Sequence, residues 1–281
     1  MKKIVITIFV SLFIPAVQLQ AQKIIDSLVG PESVIKVGDK LFVSNARGGF
    51  ISELSADGKF IRRKFQKTVL YSPRGLAAIG NTVYVTDTFR VVGFDINSGE
   101  QVFELVVPSM NFLNDLCVVE KNKLAVSDSR TGNIYLINPS VKTILFLGSI
   151  AGANGVTYDE KTKRLYACGV GVRVGTQWNG QGKLYVKNLS KEDTLFTELP
   201  NSPIGFFDGI EFIDDDHLIV DDWTHNGRLF IYDLKDNSSA SYTVNCGTAD
   251  LYYDKSSGDI YIPDLPKNRI VIVNINSLKK D

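Results

Sequence analysis

Two carboxylates and two amides, Glu32, Asp208, Asn114 and Asn154, each stand at the head of a short run of strand-forming residues: PESVI, FDGIE, LNDLC and ANGVT. Their oxygens are the donors a hard divalent cation prefers. Ca²⁺ takes about 6 to 8 of them, so four such side chains would supply half a shell and leave the rest to water or substrate. A carboxylate beside such an ion can orient or deprotonate an attacking water. Arg74 in PRGLA and Ala249 in TADLY head two further runs of the same kind. Asn, Asp and Gly also dominate turns, so each residue alone reads as a cap at the start of a strand. Arg74 could equally pair with Glu32 in place of a metal. Glu32, however, is not a favoured turn residue, yet it stands in the same column.

The common phase comes from a repeat that fills the chain. LFVSN, VYVTD, LAVSD, LYACG, LIVDD and IYIPD recur roughly every 40 residues. Each is followed by a turn rich in Gly, Asn or Arg and by a third strand such as GNIYLIN or GRLFIYDL. Units of ~40 to 45 residues with about four strands are propeller blades. Six copies predict an all-β, six-bladed β-propeller whose leading residues meet at one mouth of the central channel. The closing NSLKKD is too short and polar for a fourth strand, whereas KIIDSLV (23–29) has no place in the first blade. KIIDSLV is therefore expected to form the outer strand of the last blade, pairing an edge that would otherwise be exposed. The longest interval, between Asn154 and Asp208, contains GVGVRVGTQWNGQGK (169–183), a Gly-rich connection expected to overhang the mouth. No helix follows it, which argues against a phosphate loop.

The first residues, MKKIVITIFVSLFIPAVQLQAQ, have a basic start, an apolar run and a small residue at Ala21. That is the anatomy of a cleaved signal peptide over 1–21, leaving one propeller domain over 22–281, exported to the periplasm or secreted. The apolar run is too short to span a bilayer comfortably. Lys+Arg and Asp+Glu are equal at 31 each, so nothing points to nucleic acid or an anionic membrane, and no feature names a protein partner. Cys117, Cys168 and Cys246 lack metal-ligand spacing and read as free thiols in a β core. His217 and the neighbouring Asp214, Asp215 and Asp216 fall in a turn at the opposite end of the blade, where a solvated turn accounts for them. His225 lies on the mouth side and is a candidate substrate contact, and Trp178 lines or covers the mouth. There is no G-x-S-x-G nucleophile elbow.

These residues together resemble the six-bladed senescence-marker-protein, gluconolactonase and luciferin-regenerating-enzyme propellers. Glu32 in PESV, Asn114 in NDL, Asn154 in ANGV and Asp208 in FDGI match that family's axial site in order across the chain. The resemblance implies Glu32, Asn154 and Asp208 as metal ligands, with Asp208 also the general base. Asn114 becomes a metal or substrate contact; Arg74 and His225 are candidate substrate contacts by their own place at the mouth, not by the resemblance. It further implies one divalent cation, Ca²⁺ ahead of Zn²⁺, Mg²⁺ or Mn²⁺, and hydrolysis of a small-molecule lactone or related ester. Phe112 stands where sugar-lactone members carry Arg, and Leu116 where they carry Gly. A more apolar ester or lactone is therefore as open as a sugar lactone, and so is a propeller that binds without catalysing.

Overall fold

The computed structural model describes residues 23–106, 112–191, 195–223 and 227–281. Six four-stranded antiparallel sheets surround a central channel, as the repeat predicts. Their innermost strands are Pro31–Val37, Pro73–Ile79, Leu113–Val119, Ala153–Asp159, Phe207–Phe212 and Tyr252–Asp254. The second strands, from Lys40–Asn45 to Asp259–Asp264, are buried over nearly their whole length because neighbouring blades cover both faces. This explains why they read as continuous apolar runs.

Each pair of neighbouring blades shares one apolar seam, and there are six seams. The seam between the last and first blades contains Ile25 and Leu28 with Val34, Leu41, Val43 and Leu54 on one side and Tyr261 and Ile270 on the other. Lys23–Ile25 pairs with Arg269–Asn274 as the outer strand of the sixth blade. The ring is therefore closed by the N-terminal strand, and an otherwise exposed edge is paired. The C-terminal residues lie elsewhere: Asp281 N–H donates to Ser241 O at 3.0 Å, against the outer strand of the fifth blade.

Five of the six innermost strands carry a one-residue bulge immediately after their first residue, the first of them between Pro31 and Val34. A bulge re-aims side chains that would otherwise alternate across the sheet. Asn114 and Asp115 accordingly both face the channel, although they are consecutive. The extra N–H needs a partner in a buried place. In the first and third blades it is the hydroxyl of the penultimate residue of the second strand: Ser33 N donates to Ser44 Oγ at 2.9 Å and Asp115 N to Ser127 Oγ at 3.0 Å. In the fifth blade Gly209 N donates to Asp221 Oδ1. The sixth blade departs from expectation, because its innermost strand begins at Tyr252, not near Ala249. Pro263 stands at the penultimate position there with no hydroxyl and no N–H, and only its carbonyl is used, accepting Ala249 N at 3.1 Å.

Leu28 is 4% exposed in the closing seam. Leu28→Ala should cost about 2 to 5 kcal/mol of stability, the range for truncating a buried leucine. Urea unfolding should show a lower midpoint with an unchanged slope; a loss below about 1 kcal/mol would mean that this seam does not hold the ring shut.

Candidate functional site

The bulges deliver the leading residues to one cavity of about 970 Å³ at the channel mouth, lined by Glu32, Arg74, Asn114, Asn154 and Asp208 together. Arg74 Nη1 donates to Glu32 Oε1. The same guanidinium stacks on Phe112, its Cζ 4.4 Å from the ring centroid. Asn154 is nearly buried; its Nδ2 donates to Phe207 O at 3.2 Å, while its Oδ1 has no hydrogen-bond partner. The Asn114 backbone is fixed by Thr86, whose Oγ1 donates to Asn114 O at 2.6 Å.

The connection at 169–183 folds back over this face through the short hairpin Arg173–Val174 and Gln177–Trp178. Trp178 lines the cavity, with Cζ3 above Gly152, where a Cβ would lie 3.2 Å away. Phe206 covers Gly180 in the same manner and packs edge-on to Trp223 at 5.4 Å. The mouth thus has a polar floor and, on the side of the fourth and fifth blades, an aromatic wall.

Below the floor lies a second tier. Asp115, Glu211 and Asp250 line a chamber of about 320 Å³ farther along the channel. Glycines make space for two of them: a Cβ on Gly75 would lie 2.6 Å from Asp115 Oδ1, and one on Gly209 would lie 2.6 Å from Asp250 Oδ1. Asp115 Oδ2 also accepts Val156 N at 2.8 Å, tying the third blade to the fourth. Burial pushes Asp115 and Glu211 up to about 8 and raises Asp208, Asp221 and Asp250 well above the usual carboxylate range. For Asp208, desolvation comes first and the charges of Glu32 and Asp250 next, while Arg74 and the Asn154 side chain pull the other way. At the opposite end, Lys36 is already engaged with Asp254.

The donors suit a hard cation. Glu32, Asn154 and Asp208 offer only oxygen, and the unpaired Asn154 Oδ1 is a neutral ligand in search of a partner. Among the described residues no three His, Cys, Asp or Glu side chains gather as a metal cluster, so the amides must contribute to any such shell. His225 lies outside the described residues, as do residues 1–22, which include the segment read as a signal peptide. His217 sits at the opposite end of the blade, its Nδ1 2.9 Å from Asp214 Oδ1. The three cysteines are free.

Asp115, Asp250, Asp221, Phe206 and Trp223 were not anticipated as site residues. Asp115 and Asp250 follow Asn114 and Ala249 in the same register, and Asp221 stands where Ser44 and Ser127 stand in sister blades. That column was the available signal.

No family model matches the chain, and no curated protein sequence does. Solved structures match its fold. A gluconolactonase from Xanthomonas campestris superimposes with a TM-score of 0.69 at 14% identity, over 94% of this chain and 91% of that one. A streptogramin B lyase gives 0.63 at 13% identity, over 93% and 98%. A catalytically inactive virginiamycin B lyase from Staphylococcus aureus with quinupristin gives 0.65 at 14%, over 87% and 80%. At such identities the likeness establishes the propeller fold alone. No helix among the described residues is long and apolar enough to cross a membrane.

Glu211 tests the electrostatics directly. Its folded-state pKa of about 8 lies above the ordinary 4.5, so the folded protein retains a proton that the unfolded chain releases. The stability tied to that proton is present below pH ~4.5 and is lost as pH rises through about 8. In chelator-treated protein, Glu211→Gln should match wild type at pH ~4 and melt at least ~3 °C higher at pH ~9, the shift that as little as about 1 kcal/mol produces at this size. Equal melting temperatures at pH ~9 would show that Glu211 ionises freely in the fold.

Proposed function

We propose that the protein is a divalent-cation-dependent hydrolase of a lactone or related ester, with the cation held at the propeller mouth. The observation that carries this reading is Asn154: its amide nitrogen is spent on Phe207 O, leaving Oδ1 unpaired in a nearly buried side chain that also touches Asp208. Glu32 and Asp208 would supply the anionic donors, Asn154 the neutral one, and Asn114 either a fourth donor or a substrate contact. An all-oxygen set favours Ca²⁺ over Zn²⁺, which prefers nitrogen and sulfur.

When bound, such a cation supplies Lewis-acid polarisation of the substrate carbonyl. The chain supplies the rest. Asp208 accepts the proton of the attacking water, a task suited to a carboxyl whose proton affinity burial has lifted. Arg74, braced between Glu32 and the Phe112 ring, lines the cavity, and the guanidinium N–H groups not given to Glu32 serve substrate oxygen or the developing oxyanion. The structural likeness to a protein described as a gluconolactonase supports a lactone as the substrate class. Export rests on the signal-like residues 1–21.

The Arg74–Glu32 ion pair favours a second reading, a propeller that binds a small molecule without hydrolysing it, because a guanidinium already neutralises one ring carboxylate. Two measurements separate these readings. Calorimetric titration with Ca²⁺ should show about one site in wild type and at least a tenfold weaker one in Asp208→Asn and Asn154→Ala; unchanged affinity in both variants would sink the site assignment. A lactone and ester panel, assayed before and after chelation, should show hydrolysis that disappears with the ion and returns on its restoration. Ion binding without hydrolysis of any panel member would favour the binding reading.

A further inference from the structure

The lip of the mouth is chemically divided. On the first and sixth blades, Arg47 and Lys267 line the same cavity. Arg47 packs its stem on Gly30 and joins no ion pair among the described residues. Gly30 N donates to Asn268 Oδ1 at 2.8 Å, which brings the turn carrying Lys267 beside that of Arg47. Lys267 Nζ lies 4.0 Å from Asp264 Oδ2, an oxygen already engaged by Arg269 Nε at 2.9 Å. Its side chain remains 58% exposed. Arg47, and Lys267 at the limit of ion-pair distance from a carboxylate that Arg269 holds more closely, therefore share one cavity with Trp178, Phe206 and Trp223. By contrast, Arg74 at the floor already has a close carboxylate partner in Glu32.

We propose that the mouth selects an amphiphilic anion: a molecule with a flat apolar body held by Trp178, Phe206 and Trp223 and a carboxylate held by Arg47 and Lys267. This rests on the reading of the mouth as the working site and names the substrate class for it, an ester or lactone that carries a remote carboxylate. The cavity, about 970 Å³, sits at the large end of the range for small-molecule sites. Aromatic side chains supply apolar contact area at low entropic cost, and a cationic lip draws an anion without needing to bury the charge. A neutral ring would give the lip no charge to neutralise.

Trp178 and Trp223 are the chain's two tryptophans, so intrinsic fluorescence reports occupancy of this cavity. The test titrates 4-phenylbutyrate and its uncharged amide into the full-length mature protein, with and without chelator. The carboxylate should bind at least fivefold more tightly than the amide. In the double variant Arg47→Gln, Lys267→Gln that preference should vanish while the affinity for the amide stays the same. Trp178→Leu, read by Trp223 emission, should weaken both ligands several-fold. Equal binding of the two ligands by wild type, no binding of either, or a preference that survives in the double variant would overturn the proposal. So would a preference lost on chelation, since the acid would then have been held by the ion and not by the lip. Retention of the preference in protein that binds no ion and hydrolyses no ester would sink the hydrolase reading alone.

Discussion

One residue too many at the head of the inner strands shapes the site. A regular strand would turn Asn114 toward the channel and Asp115 away from it; the bulge turns both inward. It also frees a buried backbone N–H, and in three blades the penultimate residue of the second strand accepts it. Ser44 and Ser127 do so with hydroxyls and Asp221 with a carboxyl. Pro263 cannot, and the sixth blade's inner strand forms only from Tyr252. The glycines complete the arrangement, since Gly75 and Gly209 leave room for the carboxyl group of the next blade along the ring. Side-chain chemistry at the mouth is thus a consequence of how the backbone starts each blade.

The price is electrostatic. Carboxyl groups crowd a narrow passage, and each is raised first by desolvation and then by its neighbours. Protonation relieves part of that strain, and Arg74 offsets part of the remainder at the floor. Stability resides elsewhere, in the six seams, where Phe42, Phe94, Phe207 and Tyr232 are fully buried. A rigid apolar ring around an electrostatically unfavourable axis is how a fold tolerates a site that opposes its own stability.

How much of this was legible differs from residue to residue. The six blades were legible because strand periodicity repeats, and so was the closing role of 23–29, because both chain ends could be counted against the repeat. Glu32, Asn114, Asn154 and Asp208 were found from phase, and the structure gathers them at one mouth. Asp115 was hidden by the same rule that located the others: in an ideal strand the residue after a channel-facing one faces away, and only the bulge reverses this. Asp250 precedes the sixth blade's inner strand, which starts at Tyr252 without a bulge. Asp221 was hidden inside a run whose apolar neighbours mark it as a buried strand. Phe206 shares its column with Phe112, each standing just before an inner strand, whereas the column of Trp223 holds Ala46, Thr88, Ser129 and Val170 in sister blades and gives no aromatic signal. The pair meets because Phe206 immediately precedes the fifth blade's inner strand and Trp223 immediately follows its second, where Trp223 N donates to Phe206 O at 3.1 Å as the next step of the Phe207–Asp222 pairing.

Asp208 shows what the two roles assigned to it demand of each other. A carboxylate that ligates a cation is held in its charged form and becomes a weak base; a carboxyl buried without one keeps its proton and is no base at all. Useful proton acceptance lies between these limits, where the pull of positive charge partly cancels the push of burial. The surroundings of Asp208 contain both: Arg74 lowers its proton affinity, whereas burial, Glu32 and Asp250 raise it. Because Arg74 also holds Glu32, any group that draws Glu32 away frees the guanidinium toward the mouth. Occupancy of the floor and the proton affinity of Asp208 are therefore linked through one ion pair, and the chemistry of the mouth turns on which partner Glu32 keeps.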